Sequence, residues 1–179
     1  MARMALELWS HLFSNNSGFL CLAYRRQQGM QHEFFAWPDD AERAAARAAE
    51  LGQTDVFFCV RLLAEPRRLA TTPGRAAALW ADVDRPLDLL DWPEAVPRPT
   101  AIVESGRGAH CYWRLVEPVD PDEAAALSRV LAELLGGDKA AADAARLLRV
   151  PGTLNHKYQP PRPVRLRELH DGEAYSPDV

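Results

Sequence analysis

Two aspartates stand two residues apart in an otherwise apolar segment, Leu79-Trp-Ala-Asp82-Val-Asp84. Residues two apart in a β-strand point to the same face, so both carboxylates would lie side by side and repel each other. A divalent cation between them would offset that repulsion, and magnesium and manganese prefer carboxylate oxygen. The pair therefore indicates a metal site. The alternative is a strand end that emerges into solvent before Arg85-Pro86.

A glycine-rich segment follows, Glu104-Ser-Gly-Arg-Gly-Ala-His110-Cys-Tyr-Trp113. Its two glycines allow the backbone to approach a ligand closely, and exposed N–H groups with Ser105 and Arg107 suit an anion such as phosphate. His110 shares one face of the next strand with Tyr112, where its imidazole could donate to a phosphate oxygen. The alternative is a structural hairpin whose histidine has no ligand.

A third segment, residues 137–157, combines a carboxylate with cations. A short helix predicted over Ala140 to Leu148 would place two arginines on one face, and the Pro-Gly pair after it forces a loop. Lys157 is one of only two lysines among 21 basic residues. These residues are typical of a polyphosphate clamp, with a solvated basic loop as the alternative. The candidate ligands are Asp138, Arg146, Arg149, Thr153, Asn155 and Lys157.

The elements that must position these segments mix helices and strands. Periodicity, capping and turn residues predict helices over 2–13, 38–51, 124–135 and 140–148, and strands over 18–25, 31–37, 55–63, 77–84, 100–104, 109–116 and 163–169. This order favours an α+β two-layer fold over a parallel doubly wound sheet. The 179 residues, 47% hydrophobic and 26% charged, can bury a core, which excludes a mainly disordered or fibrous protein.

Charge and cysteine usage limit the binding partners and the cellular compartment that we expect. The net charge of −4 argues against attraction of the whole surface to nucleic acid. Residues 82–94 hold five carboxylates and one arginine, whereas residues 139–169 hold seven cations and two carboxylates. The three separated cysteines support neither a disulfide framework nor a zinc site and indicate a reducing cytoplasm. With no predicted membrane span or signal peptide, we expect a soluble cytoplasmic protein.

Together the three segments supply the parts required for two-metal nucleotidyl transfer. In this order they resemble the three motifs of the archaeo-eukaryotic primase superfamily, in particular the primase-polymerases of prokaryotes, plasmids and phages. The resemblance covers about residues 55–158 and is most specific in Arg146-Leu-Leu-Arg149-Val-Pro-Gly-Thr-Leu-Asn155-His-Lys157. It implies one catalytic domain over residues 1–179, with an N-terminal α/β unit at about 1–54 beside an RRM-like catalytic sheet at 55–170.

The resemblance also implies roles for individual residues. Asp82 and Asp84 would bind two Mg²⁺ or Mn²⁺ ions, with a third carboxylate from Asp138 or Asp143. Asp138 is favoured because the family's third aspartate lies about three helical turns before the basic residue, and helix periodicity places Asp143 on another face. His110 would contact the phosphates of the incoming nucleotide. The other implied nucleotide-binding residues are Ser105, Arg107, Arg149, Asn155 and Lys157.

The implied function is template-dependent transfer of nucleotides from nucleoside triphosphates to a 3′-hydroxyl or an initiating nucleotide on single-stranded DNA. The expected partners are template, primer strand and nucleotides, and a helicase or another replication or defence protein is a further candidate. Trp113 and Tyr158 are candidate stacking residues for the template. The alternatives are a non-catalytic nucleic-acid-binding replication-initiation module, which the three carboxylates disfavour, and another metal-dependent phosphoryl-transfer enzyme such as a nuclease or a nucleotide cyclase.

Overall fold

A computed structural model of the chain describes residues 2–86 and 92–177. Its α-helices are α1 (Ala2–Leu12), α2 (Ala41–Glu50) and α3 (Pro121–Leu134), and a 3₁₀ turn spans Lys139–Ala141. The strands are β1 (Gly18–Arg26), β2 (Gly29–Trp37), β3 (Val56–Cys59), β4 (Ala76–Val83), β5 (Ala101–Glu104), β6 (Ala109–Val119), β7 (Leu147–Arg149), β8 (Leu154–Asn155), β9 (Arg162–Pro163) and β10 (Arg165–Leu169).

The strands form two four-stranded sheets and one short pair. The first sheet has the order β2-β1-β3-β7, the second sheet has the order β10-β5-β6-β4, and β8 pairs with β9. Every pairing between these strands is antiparallel. Helices pack on antiparallel sheets rather than between parallel strands, so the predicted α+β class is confirmed.

Side chains along each strand alternate between the two faces of a sheet, which explains which residues the helices cover. In β1, Leu20, Leu22 and Tyr24 are buried on the face that packs against α1 and α2. Phe58 of β3 lies on the same inner face and joins the sheets, because its ring contacts Trp9 of α1 at 5.8 Å and Tyr112 of β6 at 6.2 Å between centroids. On the other side of the second sheet, α3 packs against β4.

The start of α3 agrees with the sequence, whereas the ends of two predicted strands differ. Asp120 caps α3 as its sequence indicates, since its side chain accepts a hydrogen bond from the Asp122 N–H. Strand β3 is shorter than predicted and ends at Cys59, whereas β6 is longer and reaches Val119. Part of the predicted acidic segment, including Asp88 and Asp91, lies outside the described residues.

The cysteines are free thiols in the interior. Burial raises the pKa of Cys21 and of Cys111 to about 12, so both thiols stay protonated at neutral pH and are poor nucleophiles. None of the helices in residues 2–86 and 92–177 is long and apolar enough to cross a bilayer.

Candidate active site

A polar cavity of about 210 Å³ lies where the end of β4 meets β7 and the loop after it. Seven of the nine residues predicted as a site line this cavity: Asp82, Asp84, Ser105, His110, Arg149, Asn155 and Lys157. They come from three segments that are distant in the chain. Phe57, Gly108, Arg146, Leu147, Leu148 and Tyr158 complete its lining.

Strand register brings the first carboxylate and the histidine together. Asp82 of β4 is directly opposite His110 of β6, and directly opposed side chains of an antiparallel pair lie on one face. His110 Nε2 is 3.7 Å from Asp82 Oδ1. Asp84 follows the last residue of β4, so the two predicted aspartates lie on either side of the strand end. The Asp82 carboxylate is partly buried, and the Asp84 carboxylate is exposed.

Burial dominates the electrostatics of Asp82. It raises the pKa of this carboxyl group, and the nearby Asp138 raises it further, while Arg146, Arg149 and Lys157 act in the opposite direction. A partly buried carboxylate with incomplete compensation favours an additional cation.

His110 is neutral in the free protein. Burial lowers its pKa to about 3, and the guanidinium groups of Arg149 and Arg146 contribute. Its Nδ1 is buried and has no hydrogen-bond partner among the described residues. A neutral imidazole can donate one hydrogen bond to a phosphate oxygen, so the permanent positive charge of the cavity comes from arginine and lysine.

A glycine fits the β5–β6 turn against the end of β4. A Cβ atom on Gly108 would lie 2.3 Å from the Val83 carbonyl oxygen and 3.1 Å from the Asp84 Cα. The turn is closed by a hydrogen bond of 2.9 Å from the Ser105 N–H to the Gly108 carbonyl oxygen. Direct packing of backbone on backbone therefore sets the position of Asp84 relative to the turn.

The predicted helix over 140–148 is wrong. One 3₁₀ turn ends at Ala141, and Leu147–Arg149 instead form β7, which pairs with β3 at the edge of the first sheet. Trp80 fixes the turn, because its Nε1 donates to the Ala141 carbonyl oxygen at 2.8 Å. Edge-strand pairing and this buried bond outweigh the helix propensity of an alanine-rich segment. The helical argument for Asp138 over Asp143 therefore fails.

Contacts distinguish the two candidate third carboxylates. The Asp138 N–H donates to the Asp82 carbonyl oxygen at 2.8 Å, so its backbone is fixed beside the first carboxylate. Arg146 Nη2 lies 4.0 Å from Asp82 Oδ2 and 3.7 Å from Asp138 Oδ2, and therefore stands between these two side chains. Asp143 is exposed and 3.9 Å from Arg146 Nη1. Of the two, Asp138 is bonded to Asp82 through its backbone and raises the pKa of the Asp82 carboxyl group.

The cationic side of the cavity depends on one aspartate that sequence reasoning missed. Asp55 Oδ1 accepts hydrogen bonds from Arg149 Nη1 at 2.5 Å and from the His156 N–H at 2.9 Å. The Arg149 guanidinium also lies over the Phe57 ring, 4.9 Å from its centroid. No local pattern marks Asp55, because its partners are more than ninety residues away in the chain.

Asn155 positions its neighbours. Its side-chain amide donates to the Ser105 carbonyl oxygen at 2.6 Å, and its side-chain oxygen accepts from the Lys157 N–H at 3.0 Å. These two bonds tie the glycine turn to the loop that carries Lys157. Lys157 itself is exposed at the cavity.

Arg107 lies outside the cavity lining, in an exposed stack at its edge. Its guanidinium is 5.2 Å from the Tyr158 ring centroid, and Arg162 lies 4.9 Å from the same centroid. Arg162 also donates to the Gly106 carbonyl oxygen at 3.1 Å. Sequence reasoning missed Arg162, whose neighbours in the chain give no signal of this stack.

The donors around Asp82 fit a divalent cation, but the set is incomplete. Asp82 and Asp84 offer carboxylate oxygens, which magnesium and manganese prefer. Among the described residues, no three His, Cys, Asp or Glu side chains are grouped closely enough to hold a metal ion. Between Asp82 and Asp138, the position that a shared cation would take is occupied by the Arg146 guanidinium.

Two solved structures share the fold of this chain. The catalytic domain of primase RepB′ in complex with initiator DNA matches 98% of this chain and 87% of its own, with a TM-score of 0.73 and 18% identity. The AEP domain of the cyanophage S-2L primase-polymerase matches 98% of this chain and 94% of its own, with a TM-score of 0.71 and 18% identity. This chain therefore has the fold of these two primase domains, as the resemblance of the motifs implies.

Sequence comparison then gives the family. Residues 59–178 match the RepB DNA-primase N-terminal domain, and the chain belongs to this family. A replication protein of Clostridium perfringens is 37% identical over 71 residues, which is 36% of this chain. That match spans 17% of the length of the C. perfringens protein.

Proposed function

We propose that this chain is a primase-polymerase catalytic domain, which transfers nucleotides from nucleoside triphosphates to a strand paired with a single-stranded DNA template. The observation that carries the proposal is the convergence of Asp82, Asp84, His110, Arg149 and Lys157 on one polar cavity. Carboxylates at one side suit divalent cations, and fixed cations at the other suit a polyphosphate. Membership of a DNA-primase family and the initiator DNA bound by RepB′ support a DNA substrate.

Bound Mg²⁺ or Mn²⁺ would activate the attacking 3′-hydroxyl and stabilise charge on the leaving pyrophosphate. Asp82 and Asp84 would hold the ions, with Asp138 as the third carboxylate. For Asp138 to join them, the Arg146 guanidinium has to move, because it lies within 4.0 Å of an oxygen of both Asp82 and Asp138. A displaced Arg146 would be free to pair with a phosphate of the nucleotide.

The chain's own residues would orient the nucleotide and stabilise its phosphate charge. Arg149 and Lys157 would offset phosphate charge as it builds up in the transition state. Ser105 and the neutral imidazole of His110 would donate hydrogen bonds to phosphate oxygens, and Arg107 would act from the rim. Asn155 would contribute to nucleotide binding by holding the Ser105 turn and Lys157 in register.

Primer extension tests the proposal. A labelled primer on a single-stranded DNA template is incubated with nucleotides and Mg²⁺ or Mn²⁺, and the products are resolved on a denaturing gel. We expect Asp82→Ala with Asp84→Ala to abolish extension. The matched control is Glu117→Ala with Glu123→Ala, which removes two exposed carboxylates away from the cavity and should leave extension unchanged.

The other outcomes assign other functions. Template binding without extension by the wild type would indicate a non-catalytic replication-initiation module. A shortened primer would indicate a nuclease, and nucleotide turnover without a template would indicate a cyclase or related phosphoryl-transfer enzyme. Parallel reactions with ribo- or deoxyribonucleotides, with and without primer, determine substrate preference and de novo priming. A helicase or other replication or defence protein as partner stays a prediction.

A further inference from the structure

A row of four side chains crosses the outer face of the first sheet, opposite α1 and α2, and ends at the cavity. Strand register places Arg149 opposite Phe57, Phe57 opposite Ala23, and Ala23 opposite His32. Directly opposed residues share a face, so the four lie side by side across β7, β3, β1 and β2. Adjacent strands are about 4.8 Å apart, which makes the row about 14 Å long. Phe57 and Arg149 also line the cavity.

The row offers aromatic rings around a small residue. Phe57 is half-buried, His32 is exposed, and Ala23 between them is fully covered by its neighbours. The His32 ring lies 6.5 Å from the ring of Phe34 on the same strand, with an interplanar angle of 31°. The Arg149 guanidinium lies over the half-buried Phe57 ring, so the remaining surface of that ring, the exposed His32 ring and the alanine between them form a shallow surface on which flat groups can stack.

Cations border this row without compensating carboxylates. Arg68 Nε donates to His32 Nε2 at 3.0 Å, and Arg68 Nη1 donates to the Ala145 carbonyl oxygen at 2.8 Å. Arg25 is exposed two residues after Ala23 in β1, hence on the same face. Across residues 2–86 and 92–177, neither arginine has a carboxylate within ion-pair distance.

The nearest acidic residues of the sheet are engaged elsewhere. Asp55 is paired with Arg149, and Glu33 is bound by Arg47 at 2.8 Å. Glu33 alternates with His32 along β2 and therefore lies on the opposite face. Asp143, which raises the pKa of Cys59 on the same face, lies 3.9 Å from Arg146 Nη1. Arg25 and Arg68 are therefore the uncompensated charges beside the row, although the chain as a whole carries a net charge of −4.

We infer that this row, with Arg25 and Arg68, is a cross-strand track that binds the single-stranded template beside the cavity. The inference rests on the proposed function, which supplies the template. Aromatic faces accept any base by stacking, and unpaired cations follow the phosphate backbone, so the combination fits a single strand read without sequence preference. An acidic protein segment would use the cations and leave the rings unused, so its binding would not depend on Phe57.

The first test removes charge. Binding of a labelled single-stranded oligonucleotide is measured by fluorescence anisotropy, without nucleotides and in the presence of a chelator, at several salt concentrations. Arg25→Glu should weaken binding several-fold, and Arg25→Ala should lower the slope of log affinity against log salt by about 0.7 if one phosphate contact is lost. The control for Arg25→Glu is Arg129→Glu, an exposed arginine on α3, which should bind as the wild type does. Equal losses in both would overturn the track.

The second test addresses stacking. Phe57→Leu keeps an apolar side chain without a ring and should lower affinity on the order of tenfold, while Phe57→Tyr should restore it. Wild-type protein should show the same loss of affinity for an oligonucleotide in which abasic sites replace bases. Phe57→Leu with the abasic oligonucleotide should lose little more affinity than either change alone. Phe57→Leu could instead weaken binding of intact and abasic strands equally. The ring would then act only through Arg149, or the cations would bind a polyanion without stacking. Either result would refute the track.

These assays separate the track from the catalytic proposal because binding is measured without turnover. The wild type could extend a primer while Arg25→Glu and Phe57→Leu bind the oligonucleotide normally. That result would reject the track and leave the proposed function intact. Base-dependent binding that these variants weaken, in a protein that extends no primer, would support the track and reject the catalytic function.

Discussion

The two walls of the cavity hold their side chains in different ways. On the carboxylate wall, Asp82 and His110 are opposed residues in a long strand pair. The ladder between β4 and β6 fixes the backbone of Asp82, and β6 is also paired with β5 on its other side. On the cationic wall, Arg149 and Lys157 come from a segment with only short strands, which single polar side chains hold in place. Asp55 and Asn155 provide those bonds.

This difference predicts how each wall fails. Many shared backbone bonds make the carboxylate wall insensitive to the loss of one polar side chain, so it should be damaged mainly by added volume. The cationic wall should be damaged by the loss of one hydrogen-bonding group, because few other bonds replace it.

Removing a buried arginine should have the largest effect. Arg61 is fully buried and donates to the carbonyl oxygens of Ala144 at 2.6 Å and Thr72 at 2.8 Å, which ties the segment before Arg146 to the loop after β3. Arg61→Ala leaves these carbonyl groups unsatisfied and should lower the free energy of unfolding by about 3 kcal/mol, measured by urea denaturation.

A matched exposed variant, Arg129→Ala, should change the free energy of unfolding by no more than about 0.5 kcal/mol. Arg61→Lys should lie between the two, since one ammonium group cannot reach all the carbonyl oxygens that the guanidinium fork reaches. A stable Arg61→Ala protein would mean that the cationic wall does not depend on single polar groups.

Added volume should damage the carboxylate wall. Gly108→Ala places a methyl group 2.3 Å from the Val83 carbonyl oxygen, so the end of β4 and Asp84 must shift. We expect about 1–3 kcal/mol of destabilisation from overpacking, together with loss of primer extension that exceeds what unfolding explains. Gly172→Ala is the control: it has a φ of +88° and no atom within 4 Å of the added Cβ, so it costs backbone strain alone. Normal extension by Gly108→Ala would contradict the prediction.

Asp55 tests the cationic wall at the site itself. Asp55→Ala removes the acceptor shared by Arg149 and the His156 N–H and should destabilise the protein by about 1–3 kcal/mol, with a raised apparent KM for nucleotides. Asp55→Asn keeps an acceptor oxygen without the charge, so it should recover most of the KM. If both variants raise KM equally, charge rather than geometry positions Arg149.

The same contrast explains what could be predicted from the sequence. Asp82, Asp84 and His110 are marked by local signals, a two-residue period and a glycine turn, so motif reading finds them as candidates. The register that sets Asp82 opposite His110 joins two strands distant in the chain and is known only from the structure. Residues 140–148 have high helix propensity, and only the distant edge of β3 and the Trp80 bond turn them into a 3₁₀ turn and a strand. Asp55 has no local signal at all, since its role depends on contacts across the fold.

The smallest effect should come from the charge of Asp82. Burial, with Asp138, holds the pKa of this carboxyl group above its value in the unfolded chain, so the folded protein keeps the proton to higher pH. Stability is therefore lost as pH rises from the unfolded pKa of about 4 through the folded pKa. Asp82→Asn cannot ionise and should be more stable than the wild type at pH 7, by about 1 kcal/mol or less, with the gap closing near pH 4. Urea denaturation at both pH values without divalent cations measures this gap, and a variant less stable than the wild type at pH 7 would mean that pairing with Arg146 outweighs burial.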